Sequence, residues 1–402
     1  MIAANVVLAI QAVSLFARRT FLTSEASRRI RWRDIAFGWI VVCFVSPSFS
    51  NVAQADSKSS VEQLDTAVDN EANEIRASDE VWEISTRHLP QSSSVADLEN
   101  PKFRVSRWSP NDGWIVSSIE QYLASVRGLE GNEVDNNPSE AQLHNIVYVH
   151  GNWMPADLTR DRGLLIYRYL AQRAQTPLRI TIFSWPSQRE GIALLDVKEN
   201  ATVAEMQGLY LGSLLQKFPA QKQLGIIGFS YGARAVTGSL HAMSGGYLCG
   251  RSLAKVAYPS QVRISLMAAA IDRQWLLDGQ RHGEALKAVH SIVNLYNSQD
   301  PVLRRYHLIS KTDRARAAGF AGLALPRNWS VASPTDSTVE QDELLTQLRQ
   351  YDCRGQLGRS HDERSYYREC SCTPYLLDHV LWNDRITVHA ATDVSSTTHD
   401  NP

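Results

Sequence analysis

At 402 residues, 44% hydrophobic and 21% charged, the chain has the balance of an ordinary globular protein and enough length for one large core or two modest ones. Its 41 basic and 42 acidic residues leave a formal net charge of -1, which excludes the basic footprint of a nucleic-acid binder and gives no hint of a strongly charged partner.

Residues 1–55 depart from that balance. Arg28-Arg-Ile-Arg-Trp-Arg33 is basic, Ile35 to Val45 is apolar, and the small-residue stretch from Ser46 closes with Ala53-Gln-Ala55. Basic, apolar and small-residue regions in that order predict export, with cleavage after Ala55. An uncleaved anchor is the alternative, although the apolar run is short for a membrane-crossing helix. The weakly apolar Met1 to Ala17 points to a true start downstream of it, and Val42 before Cys43 argues against a lipid-anchored cysteine. Contact with a membrane is expected only through this segment, if it stays attached. Residues 56–80 are Ser, Asp, Glu and Asn with few large apolar side chains, a composition that predicts a disordered linker.

From Val81 the texture is that of a folded domain over residues 81–402. Val81 to Ser85 and Phe103 to Trp108 alternate like half-buried strands that pair antiparallel, Trp114 to Val126 reads as an amphipathic helix, and Glu130 to Glu140 is a polar loop. Asn145 to Val149 is a buried strand running into His150-Gly151, followed by a helix over Ala156 to Ala174. Leu178 to Ser187 is a strand that Pro186 ends, and Ala201 to Phe218 is a helix. Leu224 to Ile227 is a strand, Ala233 to His241 a helix, and Val262 to Ile271 and Ser291 to Tyr296 are further strands. Strands alternating with helices predict an α/β protein, a mostly parallel sheet with helices on both faces.

Between the strand at Leu224 and the helix at Ala233 stands Gly228-Phe-Ser-Tyr-Gly232. Gly-x-Ser-x-Gly between strand and helix is a nucleophile elbow: the glycines let the two elements pass closely, forcing Ser230 into a strained, exposed turn. Partners of Ser230 are sought just past later strands, where active groups of parallel sheets collect. Asp300 follows the strand ending at Tyr296; Asp272, ending the strand before it, is the alternative acid. The base is His361 or His379. His361 is favoured because it sits on a loop, where an imidazole is free to swing, whereas His379 lies within a helix read over Arg364 to Trp382. Ala317 to Leu325 is apolar and glycine-punctuated, either a helix packed on the sheet or part of a cap within residues 302–350.

The segments Val149-His-Gly-Asn152, Phe183-Ser-Trp-Pro-Ser187, Gly228-Phe-Ser-Tyr-Gly232, Tyr296-Asn-Ser-Gln-Asp300 and Gly358-Arg-Ser-His361 together resemble the α/β-hydrolases, over about Val81 to Trp382. More narrowly they resemble a bacterial branch of uncharacterised members, in which His more often stands where this chain has Phe229. The resemblance implies an α/β-hydrolase fold and a serine hydrolase acting on a small-molecule acyl substrate, which the leader would make an exported one, with no metal and no cofactor expected. It further implies an oxyanion hole from the backbone of Asn152, or of Trp153 instead, together with Tyr231, and a substrate pocket walled by His150, Trp153 and Phe229. A binding protein of the cell envelope on the same fold, without catalysis, is the alternative.

Cys249, Cys353, Cys370 and Cys372 survive removal of the leader, and in an exported chain Cys353 is expected to pair with Cys370 or Cys372. Cys370-Ser-Cys372 lacks further ligands at structural-zinc spacing. Substrate identity and oligomeric state are not legible.

Overall fold

The computed structural model describes residues 75–128, 143–188, 193–220, 222–254, 259, 261–310, 314–324 and 348–383. The expected leader, the polar loop at 130–140 and most of the expected linker lie outside the described residues. Apart from Ala193 and Leu194, the described residues form one compact unit.

Strands β1 (Glu80–Ser85), β2 (Arg104–Ser109) and β3 (Gly113–Ser117) come first, followed by helix α1 (Ile119–Arg127). Then come β4 (His144–Val149), α2 (Ala156–Ala171), β5 (Leu178–Ser184), α3 (Ala193–Leu215), β6 (Gln223–Phe229) and α4 (Tyr231–Met243). The rest is β7 (Gln261–Met267), β8 (Ser291–Tyr296), α5 (Ala318–Ala321), β9 (Leu348–Asp352), α6 (Arg354–Leu357), α7 (Glu363–Glu369) and α8 (Thr373–Val380). The nine strands form one sheet in the order β3-β2-β1-β5-β4-β6-β7-β8-β9. Every neighbouring pair from β1 to β9 is parallel; β2 and β3 join antiparallel at one edge. This is an α/β fold.

Strand register decides which helices cover which face, because successive side chains point to opposite sides. Tyr148 lies level with Ile182, which lies level with Glu83, so these three share a face. Glu83 meets Arg160 of α2, and Tyr148 donates to Glu363 of α7. Ser265, on the same face, bonds His379 of α8. The opposite face takes α1 through Tyr122, which pairs with Thr181 at 2.9 Å and packs on Phe218 just past α3. Arg234 of α4 reaches Glu205 of α3, keeping those two helices side by side. All seven residues of β5 are buried, and Trp82, Tyr148, Phe183 and Trp185 are fully enclosed in this double-sided core.

Several elements differ from expectation, each for a local reason. Gly113–Ser117 is a strand, not the start of a helix, because it pairs with β2 and sets Trp114 edge-on to Trp108 at 5.6 Å. The helix begins at the capping box formed by Ser118 and Gln121. β7 stops at Met267 because Ala268 has φ 48, outside the strand region. The closing helix read over Arg364 to Trp382 is two helices, with Cys370 to Cys372 between them and Pro374 in the first turn of the second. Residues 75–79, assigned to the linker, are tied down: Tyr167 accepts from the Arg76 N–H, and Asp79 accepts from the Leu178 N–H. Of the segment read as a helix or cap, residues 317–324 are described: α5 packs against β8, and residues 325–347 lie outside the described residues.

The closest backbone crossing is at Gly232. A Cβ built there would stand 2.0 Å from the carbonyl oxygen of Val149, so α4 rests directly on the end of β4. Overpacking against a carbonyl has no flexible side chain to relieve it. Gly232→Ala is therefore expected to lower unfolding stability by about 3 kcal/mol, read from the urea midpoint; an unshifted midpoint would mean that α4 slides freely.

Candidate active site

Ser230 stands between β6 and α4 with φ 50 and ψ -113. Such a backbone costs a non-glycine residue about 1–3 kcal/mol and persists only where its surroundings hold it. The hold here is a pair of hydrogen bonds: the Ser230 N–H donates to Met267 O at 2.9 Å, and Ser230 O accepts from the Ala270 N–H at 3.1 Å. The exit of β7 thus clamps both sides of the residue. Its hydroxyl sits at the carboxyl edge of the sheet.

The His361 imidazole meets that hydroxyl, with Nε2 at 3.2 Å from Ser230 Oγ. Its other nitrogen, Nδ1, donates to Asp300 Oδ2 at 2.5 Å. An ionised carboxylate only accepts, so the proton lies on Nδ1 and the Nε2 lone pair faces the serine. Asp300 is fully buried, and its Oδ1 accepts from the backbone of Val302 at 2.8 Å and Leu303 at 3.0 Å. Both carboxylate oxygens are therefore satisfied. Burial pushes the His361 pKa down, but the charge and hydrogen bond of Asp300, with help from Asp362 and Glu363, outweigh it and hold the group above its ordinary value.

Sequence reasoning missed what positions the histidine. Asn297 sends its amide to Gly358 O at 2.9 Å and Ser360 O at 3.0 Å, and its Oδ1 accepts from the Gln299 N–H. Ser298 bonds Asp352 through both its N–H and its hydroxyl, and the Cys353 N–H donates to Tyr296 O. The loops bearing Asp300 and His361 are thereby stitched together. The signal available was an Asn directly after a strand, a residue type that commonly bonds a neighbouring backbone.

The two alternatives lie elsewhere. His379 is held by Ser265 at 3.0 Å and by Ser291, the first residue of β8, at 2.8 Å, toward the amino ends of the strands. Burial and the nearby Arg263 keep it neutral. Asp272 caps a turn, accepting from the Gln274 N–H at 3.0 Å.

Beside the serine, the loop after β4 makes direct contact. A Cβ at Gly151 would lie 3.3 Å from that of Ser230, and α4 abuts the His150 carbonyl through Gly232. Asn152 and Trp153, the latter with φ 56, follow in this loop. Asn152 Oδ1 accepts from Asn200 Nδ2 at 2.8 Å. Tyr231 opens α4, so its N–H has no acceptor within the helix.

Two expectations for the pocket wall need correction. His150 is completely buried: Nδ1 donates to Gly151 O, Nε2 accepts from the Trp185 N–H, and the ring stacks on Trp185 at 5.2 Å. Burial, then the charge of Arg87, pushes its pKa down to about 3, so it stays neutral and braces the loop. Phe229 is 8% exposed and packs on the imidazole of His361 at 5.6 Å and on Tyr366. Trp153 remains half-buried.

A cavity of about 620 Å³ opens at the same edge, lined by Lys198, Glu205, Arg234, Asp272, Trp275 and Arg281 among others. Ser230 is not one of its walls. Arg234, four residues along α4, is its centrepiece: it bonds Ala270 O, Ala201 O and Tyr306 Oη, pairs with Glu205 and faces the Trp275 ring at 4.8 Å.

No protein-family model and no curated protein matches the chain. Among solved structures it is similar to esterase B from Lactobacillus rhamnosis in a C6-C4 SN3 inhibited form, at 12% identity and TM-score 0.24, over 62% of this chain and 80% of that one. A C4-C4 SN3 tributyrin phosphonate inhibited form of the same esterase matches at 13% identity and TM-score 0.23, over 64% of this chain and 79% of that one. A bifunctional GH43-CE protein of Bacteroides eggerthii matches at 13% identity and TM-score 0.21, over 39% of this chain and 27% of that one.

The pair at the site gives a titration test. His361 is expected to titrate above 6.5 in nuclear magnetic resonance, and Asp300→Asn to lower it, because burial is then opposed only by Asp362 and Glu363. The raised pKa contributes stability that is complete below the unfolded pKa and lost as pH rises through the folded one. An unmoved titration in Asp300→Asn would remove Asp300 as the cause.

Proposed function

We propose that the chain is a serine hydrolase of the α/β-hydrolase type, cleaving an ester, thioester or amide through an acyl-enzyme. The observation that carries this reading is the unbroken line from Ser230 Oγ to His361 Nε2 at 3.2 Å and from His361 Nδ1 to Asp300 at 2.5 Å, set on a strained strand-to-helix corner.

In the proposed cycle Ser230 Oγ attacks the substrate carbonyl while His361 Nε2 takes its proton. Asp300 holds the tautomer and stabilises the imidazolium, consistent with the raised pKa. The oxyanion is met by the N–H groups of Tyr231 and Asn152. His361 then protonates the leaving group, and a water activated by the same Nε2 releases the acyl group. Export, proposed from the basic, apolar and small-residue order of residues 1–55, is checked by whether the mature chain begins at Asp56.

Reaction with a fluorophosphonate tests the reading. Ser230 is expected to be labelled in folded protein, and Ser230→Ala to lose labelling and lower ester hydrolysis by at least about 10³-fold. Absence of labelling on correctly folded protein would overturn the proposal. Asn297→Ala is expected to keep the nucleophile but lower kcat by roughly 10²-fold, since it frees the loop carrying the base. An unchanged kcat would show that the loop holds without it.

A further inference from the structure

The loop bearing His361 leaves the sheet at Cys353, just past β9, and ends at α7, beyond which stands Cys370. The two sulfurs come together: Cys370 Sγ lies 2.6 Å from Cys353 Sγ, and both residues are buried. Cys372, two residues beyond Cys370, is only half-buried. The neighbouring sulfurs hold the Cys372 thiol down, toward the thiolate that attacks disulfides, while Cys353 and Cys370 are held up as thiols. Three sulfurs, graded from enclosed to accessible, therefore stand at the base of the loop that delivers the imidazole.

We propose that Cys353, Cys370 and Cys372 form a thiol–disulfide exchange site whose reactant is a low-molecular-weight disulfide and whose closed product, a Cys353–Cys370 bond, locks the His361 loop. The accessible Cys372 thiolate attacks the small disulfide, forming a mixed disulfide and expelling one thiolate. Cys353 attacks the Cys372 sulfur, releasing the second small thiol. Cys370 then attacks Cys353, forming the buried bond and returning Cys372 as thiolate. The two protein thiols lose two electrons, the small disulfide gains them, and the protons of Cys353 and Cys370 leave on the two released thiols.

The cross-link closes residues 353–370 into a ring with His361 inside it. Its opposite anchor is Asn297, which grips Gly358 and Ser360. Holding the loop at both points limits drift of Nε2 from Ser230. A displacement of about 1 Å at such a base costs on the order of 10²-fold in rate.

The experiment exposes full-length protein to oxidised glutathione, then to a phosphine reductant. Intact mass and peptide mapping are expected to find Cys353 joined to Cys370 after oxidation, with Cys372 alkylatable. Hydrogen exchange over residues 354–362 is expected to slow about tenfold in the oxidised form. Fluorophosphonate labelling of Ser230 is expected to be about tenfold faster there. Cys372→Ser is expected to form the same bond about tenfold more slowly, and it avoids the folding risk of replacing buried Cys353. Full alkylation of Cys353 and Cys370 after oxidation, retention of a metal ion by the reduced trio, or equal exchange over 354–362 in both forms would overturn the proposal. The labelling arm rests on the hydrolase reading, whereas mass and exchange do not. An unreactive Ser230 in both forms would therefore count against that reading, leaving mass and exchange to decide the cross-link.

Discussion

The structure depends on one peptide unit. Ser230 holds a backbone conformation that non-glycine residues avoid, and it does so because β7, as it ends, takes the serine's N–H with Met267 O and supplies the Ala270 N–H to its carbonyl. The first bond is the last rung of the β6–β7 ladder, beside the Phe229–Met267 pair. The second lies outside that ladder and goes with the end of β7 at Ala268, whose own φ is positive. The strain at the corner and the early end of the neighbouring strand are therefore one feature. Without the second strand's irregular exit, the first would continue into its helix with an ordinary turn.

Around that unit the sheet gathers groups far apart in sequence. β4 brings a loop whose Gly151 touches the serine, β8 brings Asp300, and the segment after β9 brings His361. Polar atoms in this region are heavily used. Asp300 accepts three hydrogen bonds, Asn297 donates two and accepts one, and His150 uses both ring nitrogens to brace its loop. Satisfied buried polar groups specify one arrangement far more tightly than apolar packing, because each alternative geometry leaves a donor or acceptor bare.

How much of this was legible follows from the range of the forces involved. The alternation of apolar strands with helices, the elbow, and the positions of Asp300 and His361 after late strands were readable, because local pattern and chain order encode them. Side-chain orientation was not. His150 and Phe229 look like pocket residues from their place beside Gly151 and Ser230, yet one stacks on Trp185 and the other under His361, contacts that only the assembled sheet creates. Trp114 misled for the same reason: its strand character comes from Trp108 across the edge, whereas the capping box at Ser118 and Gln121, the true helix start, is written locally. Asn297 was visible as a turn former, but its reach to Gly358 and Ser360 spans a stretch of chain that no window covers.

The stitching between β8 and the segment that leaves β9 makes the sheet rim behave as one rigid bracket. Asn297 and Ser298 grip Gly358, Ser360 and Asp352 directly, so the spacing of Asp300 and His361 is set by hydrogen bonds across that rim. A disturbance at either end of the bracket is therefore transmitted to the other.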